Sequence, residues 1–118
     1  MTLNHVHLGT RDLKKSVDFY TTIFDFKKKA EHGAGIFIEN PAGFLIAIDP
    51  VSELPVFPSW YHLGFCLSTE KEVLGLYEKC KALNVTIVRD LIRKENQFAS
   101  FYINDPDGNK LEISWHNE

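Results

Sequence analysis

The sequence predicts an α+β domain made from two copies of one unit: a strand, a helix and three further strands (βαβββ). Three observations predict it. A short alternating apolar strand opens each half, an amphipathic helical stripe follows it, and the two halves repeat at an offset that can be counted.

In the first half, Leu3 to Gly9 is aliphatic and alternating, as a half-buried strand is. Thr10 is placed to cap a following helix, with Asp12 in the first turn, where negative charge meets the helix dipole. Leu13, Val17, Tyr20 and Phe24 recur at helical spacing and form one apolar stripe. Phe26 to Ala30 reads as a polar edge strand. Ile36 to Glu39 and Phe44 to Ile48 read as a hairpin turned at Asn40-Pro41-Ala42-Gly43.

The second half repeats that order. Tyr61 to Leu67 is a strand, and Thr69 with Glu72 is a capping box that opens the next helix. Its stripe is Val73, Leu76, Tyr77, Cys80 and Leu83, with Asn84 as the C-terminal cap. Val85 to Arg89 is a strand, and Phe98 to Ile103 with Lys110 to Trp115 is a hairpin turned at Asp105-Pro106-Asp107-Gly108. Arg93 and Lys94 fall in a loop, either as a solvated pair or as an anion-capturing one. The stretch Pro50 to Ser59, with Pro50, Pro55 and Pro58, has linker composition. The expected organisation is one domain over 1–118, with a first module at about 1–49, a linker at 50–59 and a second module at about 60–118.

The repeat has a register. His5 and His62 are 57 positions apart, as are Tyr20 and Tyr77, while the two turns are offset by 65. The later offset places Ala47 opposite Glu112. A unit of this size cannot bury its sheet alone, so the halves must pack together or against another chain.

With 118 residues, 44% of them hydrophobic and nine of them Phe, the chain can bury a core. A net charge of −3 and a pI near 5.9 give no general basic field for nucleic acid. No apolar run approaches the roughly eighteen residues of a membrane span, and MTLNHVHLG lacks the layout of a secretory signal. Two cysteines make no disulfide framework. The expectation is a cytoplasmic protein.

Side-chain alternation sorts the polar groups. His5, His7 and Gly9 share one strand face, His62, Gly64 and Cys66 another, and Glu112, Ser114 and His116 a third. The opposite faces are apolar and suit the helices. Two imidazoles and a carboxylate therefore lie on the uncovered faces, where burial without partners is costly. His5, His62 and Glu112 are the borderline-hard donor set that suits a divalent metal ion: Zn, Mn, Fe, Ni or Co. Ala47, at the fourth equivalent position, cannot coordinate. Three protein ligands leave coordination open, which points to chemistry rather than a closed structural site. His7 shares the face of His5 and is either a pocket acid or base, a substitute ligand, or a hydrogen-bonded wall residue.

The strings L-N-H-V-H-L, Y-H-L-G-F and D-P-D-G-N-K-L-E resemble the vicinal-oxygen-chelate superfamily, and the resemblance spans His5 to Trp115. That group includes glyoxalase I, the fosfomycin-resistance thiol transferases, extradiol dioxygenases and bleomycin-resistance proteins. The resemblance implies paired βαβββ modules forming cupped mixed β-sheets with helices on the outer face, and a homodimer. It also implies a small-molecule substrate chelated to the metal through adjacent oxygens, with lyase-, thiol-transferase- or dioxygenase-like chemistry. Ser100-Phe101-Tyr102 matches the strand lining the thiol transferases' pocket, which makes Tyr102, with His7, a candidate catalytic residue. The second carboxylate of glyoxalase I falls at Ala47, so the three-ligand pattern resembles the thiol transferases and dioxygenases better. The competing reading is a non-catalytic drug-binding protein of the bleomycin-resistance type, binding through aromatics such as Phe57, Trp60, Phe98 and Tyr102.

Overall fold

Each half folds as strand, helix and three strands. The computed structural model describes residues 1–118 and orders the elements β1 (His5–Thr10), α1 (Leu13–Phe24), β2 (Lys27–His32), β3 (Gly35–Glu39), β4 (Leu45–Pro50), β5 (Leu63–Cys66), α2 (Glu70–Ala82), β6 (Ile87–Lys94), β7 (Phe98–Asn104) and β8 (Lys110–His116). The chain divides into two compact units, Met1–Val56 and Phe57–Glu118.

The sheet orders are β1-β4-β3-β2 and β5-β8-β7-β6. In each, the opening strand pairs in parallel with the closing strand and the remaining pairs are antiparallel, so both sheets are mixed. A helix between opening and later strands gives the chain the length a parallel crossover needs. The counted repeat is visible in the ladders: His7 stands beside Ala47, and Gly64, 57 positions on, stands beside Glu112, 65 positions on.

Burial follows the alternation. In the first unit, Leu8, Ile38, Ile46 and Ile48 are buried, as are Tyr20 and Ile23 of α1 and the adjoining Phe26. In the second, Val73 and Cys80 of α2 are buried, as are Ala99, Phe101, Ile103, Leu111 and Ile113 of β7 and β8. Each fully buried aliphatic or aromatic side chain contributes about 1.5–3 kcal/mol relative to exposure. Helices of 12 and 13 residues are marginal alone in water, so this packing is what holds α1 and α2. No helix is long and apolar enough to cross a membrane.

Several local expectations shift. The cap of α1 is Asp12, whose side chain accepts from the Lys15 amide, rather than Thr10. Thr10 is buried at the end of β1, where its hydroxyl engages the backbone of Asp12. Phe26 belongs to the core, and the edge strand begins at Lys27. Three consecutive lysines on this fully exposed strand discourage pairing with another sheet edge. Thr69 caps α2 as expected, and Asn84 follows its C-cap Leu83 in the left-handed region at φ 57°. β6 starts later and runs further than predicted, so Arg93 lies in a strand and pairs with Glu70 at 3.1 Å. Both hairpin turns close on a glycine with positive φ, Gly43 at 91° and Gly108 at 83°, which favours glycine there.

Candidate metal centre

The second unit brings two of the predicted ligands together. His62 lies just before β5, and Glu112 is the third residue of β8, the strand that pairs with β5. His62 Nε2 is 3.3 Å from Glu112 Oε1, with the two side chains 32% and 23% exposed. His62 Nδ1 is 2.9 Å from the Trp60 carbonyl oxygen. A carbonyl oxygen only accepts, so Nδ1 carries the proton and donates. In the neutral ring Nε2 is then a lone pair, and it faces a carboxylate oxygen. Two acceptors facing each other need a positive charge between them. A proton on Nε2 or a bound metal ion satisfies that need, and the ring's contact to a backbone carbonyl is the usual support of a metal-ligating histidine.

The remaining carboxylate oxygen has its own partner. Glu112 Oε2 accepts from the Ser100 hydroxyl at 2.9 Å, and Ser100 Oγ accepts from Arg89 Nη2 at 2.9 Å. Arg89 Nη1 also donates to the Ser100 carbonyl at 3.0 Å and to the Asp90 carbonyl at 3.1 Å. Tyr102 stands between these groups: its ring lies 5.1 Å from that of His62 and 4.4 Å from Arg89 Cζ, with Lys110 Nζ at 5.6 Å. Lys110 is anchored by a hydrogen bond to the Ser59 carbonyl. Gly64, the ladder neighbour of Glu112, has open space where a Cβ would be.

The first unit carries His5 and His7. His5 is exposed, its Nδ1 2.8 Å from the Asn4 side-chain oxygen. His7 is exposed, and its Nε2 is hydrogen-bonded to the carboxylate of Asp49, two residues past Ala47 on β4. Within a single chain, no three His, Cys, Asp or Glu side chains gather into a group able to hold a metal ion.

Sequence reasoning placed Ser100 on the pocket-lining strand but missed Arg89 and Asp49. The pairing of β6 with β7 is irregular on both sides of Arg89, between Ile87 and Arg89 and again between Arg89 and Ile92. Such bulges re-aim side chains, and here they turn Arg89 onto Ser100 and Tyr102. Asp49 was detectable in principle, since it continues the Leu45, Ala47 alternation toward the face of His7.

Three comparisons bear on this geometry. Residues 2–113 match the model of the Glyoxalase/Bleomycin resistance protein/Dioxygenase superfamily. Among curated proteins, the chain is 30% identical over 115 residues to the metallothiol transferase FosB of Lysinibacillus sphaericus (strain C3-41), covering 95% of this chain and 80% of that protein. It is 28% identical over 115 residues to the glutathione transferase FosA of Serratia marcescens, covering 95% and 79%. Among solved structures it is similar to the fosfomycin resistance protein FosX of Listeria monocytogenes (TM-score 0.83, 26% identity, 98% of this chain and 93% of that one). A mutant of that protein complexed with Mn(II) and 1S,2S-dihydroxypropylphosphonic acid is also similar (TM-score 0.80, 27% identity, 98% and 89%).

Proposed function

The chain belongs to the Glyoxalase/Bleomycin resistance protein/Dioxygenase superfamily, and from that premise we propose that it is a divalent-metal-dependent, thiol-transferase-like enzyme acting on a small substrate with adjacent oxygens. The observation that carries this reading is His62 Nε2 facing Glu112 Oε1 at 3.3 Å, with the other ring nitrogen and the other carboxylate oxygen each already engaged. Two protein donors are fewer than the three or four that hold ions of this class. His5 completes the set, supplied by a second copy of the chain in a homodimer.

A divalent ion held there supplies Lewis-acid stabilisation of negative charge developing on a substrate oxygen. The chain's own residues do the rest. Trp60 fixes the ring of His62, and Ser100 fixes the carboxylate of Glu112. Tyr102 presents its phenol beside His62, and the cations Arg89 and Lys110 against its ring favour an anionic substrate nearby. His7, held by Asp49 and arriving with His5 on β1 of the second copy, is the candidate to accept the proton of an incoming thiol.

The test is direct. Purified protein loaded with Mn(II) is incubated with fosfomycin and either glutathione or L-cysteine, and thiol consumption is followed. Metal-dependent consumption, lost in Glu112→Ala, is the expected result. Fosfomycin or bleomycin binding that is indifferent to metal, with no thiol consumed, would favour the non-catalytic binding class instead.

A further inference from the structure

Glu112 has two oxygens with two separate engagements. Oε1 faces His62, and Oε2 accepts the Ser100 hydroxyl proton. Ser100 is 4% exposed, and its hydroxyl proton is committed to Glu112 because its oxygen already accepts from Arg89. The direction of this chain is fixed from its far end, since a guanidinium can only donate. Arg89 is itself held by two backbone carbonyls and the face of Tyr102.

We propose that Arg89 and Ser100 form a positioning relay that locks the rotamer of Glu112, leaving Oε1 alone to meet the metal. This inference rests on the reading of His62 and Glu112 as metal ligands. Ser100 and Arg89 touch neither metal nor substrate in this scheme; they act through Glu112. Without the hydroxyl, Oε2 loses its donor and the carboxylate is free to rotate or to turn toward the Arg89 guanidinium. Without the guanidinium, the Ser100 hydroxyl can donate elsewhere. Partners of this kind are worth about 10–100-fold in metal affinity in well-studied sites. Arg89→Lys tests geometry rather than charge, because an ammonium cannot reproduce the fork that spans Ser100 Oγ and two carbonyls.

Mn(II) titration of the full-length protein, followed by the electron paramagnetic resonance of the free ion, tests the relay with no reference to turnover. Ser100→Ala and Arg89→Lys are expected to weaken Mn(II) binding by about 10–100-fold, while the melting temperature of the metal-free protein stays near that of the wild type. Ser100→Thr, which keeps the hydroxyl, is expected to restore binding. Because Arg89 acts through Ser100, the double variant should bind no more weakly than Ser100→Ala alone, a non-additivity that independent sites would not show. Should Ser100→Ala not fold, Arg89→Lys carries the test. Wild-type affinity in both single variants, or fully additive losses in the double, overturns the relay while binding that still depends on Glu112 leaves the metal reading intact. No binding by the wild type, or undiminished binding by Glu112→Ala, overturns the metal reading and the relay with it.

Discussion

Asp49 lies directly over Gly35. A Cβ built on Gly35 would overlap Asp49 Oδ1 and stand 2.6 Å from the Ile48 carbonyl oxygen, both inside van der Waals contact. The absent side chain on β3 therefore leaves room for a carboxylate on β4, and that carboxylate holds His7 on β1. Three strands cooperate to set one imidazole.

Gly35→Ala should force this arrangement apart. Either Asp49 swings away from His7 or β3 shifts against β4, and overpacking of this kind costs about 1–3 kcal/mol. Thermal unfolding should show a lower melting temperature, and the His7 ring nitrogen shifts should move in the NMR spectrum. Adding Asp49→Ala should recover only part of the loss, because the Ile48 carbonyl still stands in the way. Wild-type melting and unmoved His7 resonances in the Gly35→Ala variant would contradict the close approach.

If His5 is supplied by a second copy, two defective chains can repair each other. His5→Ala and Glu112→Ala homodimers should each bind metal weakly. Mixed and re-equilibrated, they form heterodimers in which one site draws an intact His5 from one chain and intact His62 and Glu112 from the other. Statistical mixing makes about half the dimers mixed, each with one good site, so about a quarter of wild-type capacity returns. Ligands donated within one chain would give no recovery, and Mn(II) titration of the mixture distinguishes the two.

The helix starts give a smaller and independent prediction. Asp12→Ala removes the side chain that accepts from the Lys15 amide, and Thr69→Ala removes the partner of the Glu72 amide. Each should cost about 1 kcal/mol in denaturant unfolding. Thr10→Ser, by contrast, keeps the hydroxyl bonds to Asp12 and should cost little beyond the buried methyl. Full stability in Asp12→Ala would return the cap to Thr10.

What was legible in the sequence is what repeats. Period-two alternation and the 57 and 65 offsets located the strands, the helix stripes and the equivalence of Ala47 with Glu112, because those depend on backbone geometry common to both halves. What was not legible depends on departures from that geometry. Arg89 joins the site through irregular pairing on either side of it, which no alternation rule anticipates. Thr10 and Asp12 are both good capping residues, and only the burial of Thr10 at the strand end decides between them. The Trp60 carbonyl that orients His62 is a backbone group in proline-rich sequence, where side-chain identity carries no signal.

The two cysteines should behave oppositely toward thiol reagents. Cys66 is exposed, whereas Cys80 is buried in α2, and burial pushes its thiol up from 9.0 to about 11. The unfolded chain thus releases this proton first as pH rises. The stability linked to Cys80 is fully present below about 9 and is lost progressively as pH climbs toward 11. The phenol of Tyr77 is also raised, by its hydrogen bond to Asp90, but its ordinary value of 10.0 puts its effect at higher pH. Between about pH 8.5 and 10 the melting temperature should therefore fall more steeply in the wild type than in Cys80→Ala, whatever the absolute cost of that substitution. A disulfide reagent at about pH 8 should modify one thiol promptly, lost in Cys66→Ser, and the second only on unfolding. Equal alkaline slopes in wild type and Cys80→Ala, or two fast-reacting thiols in the native protein, would show that Cys80 is not sequestered by the packing of α2.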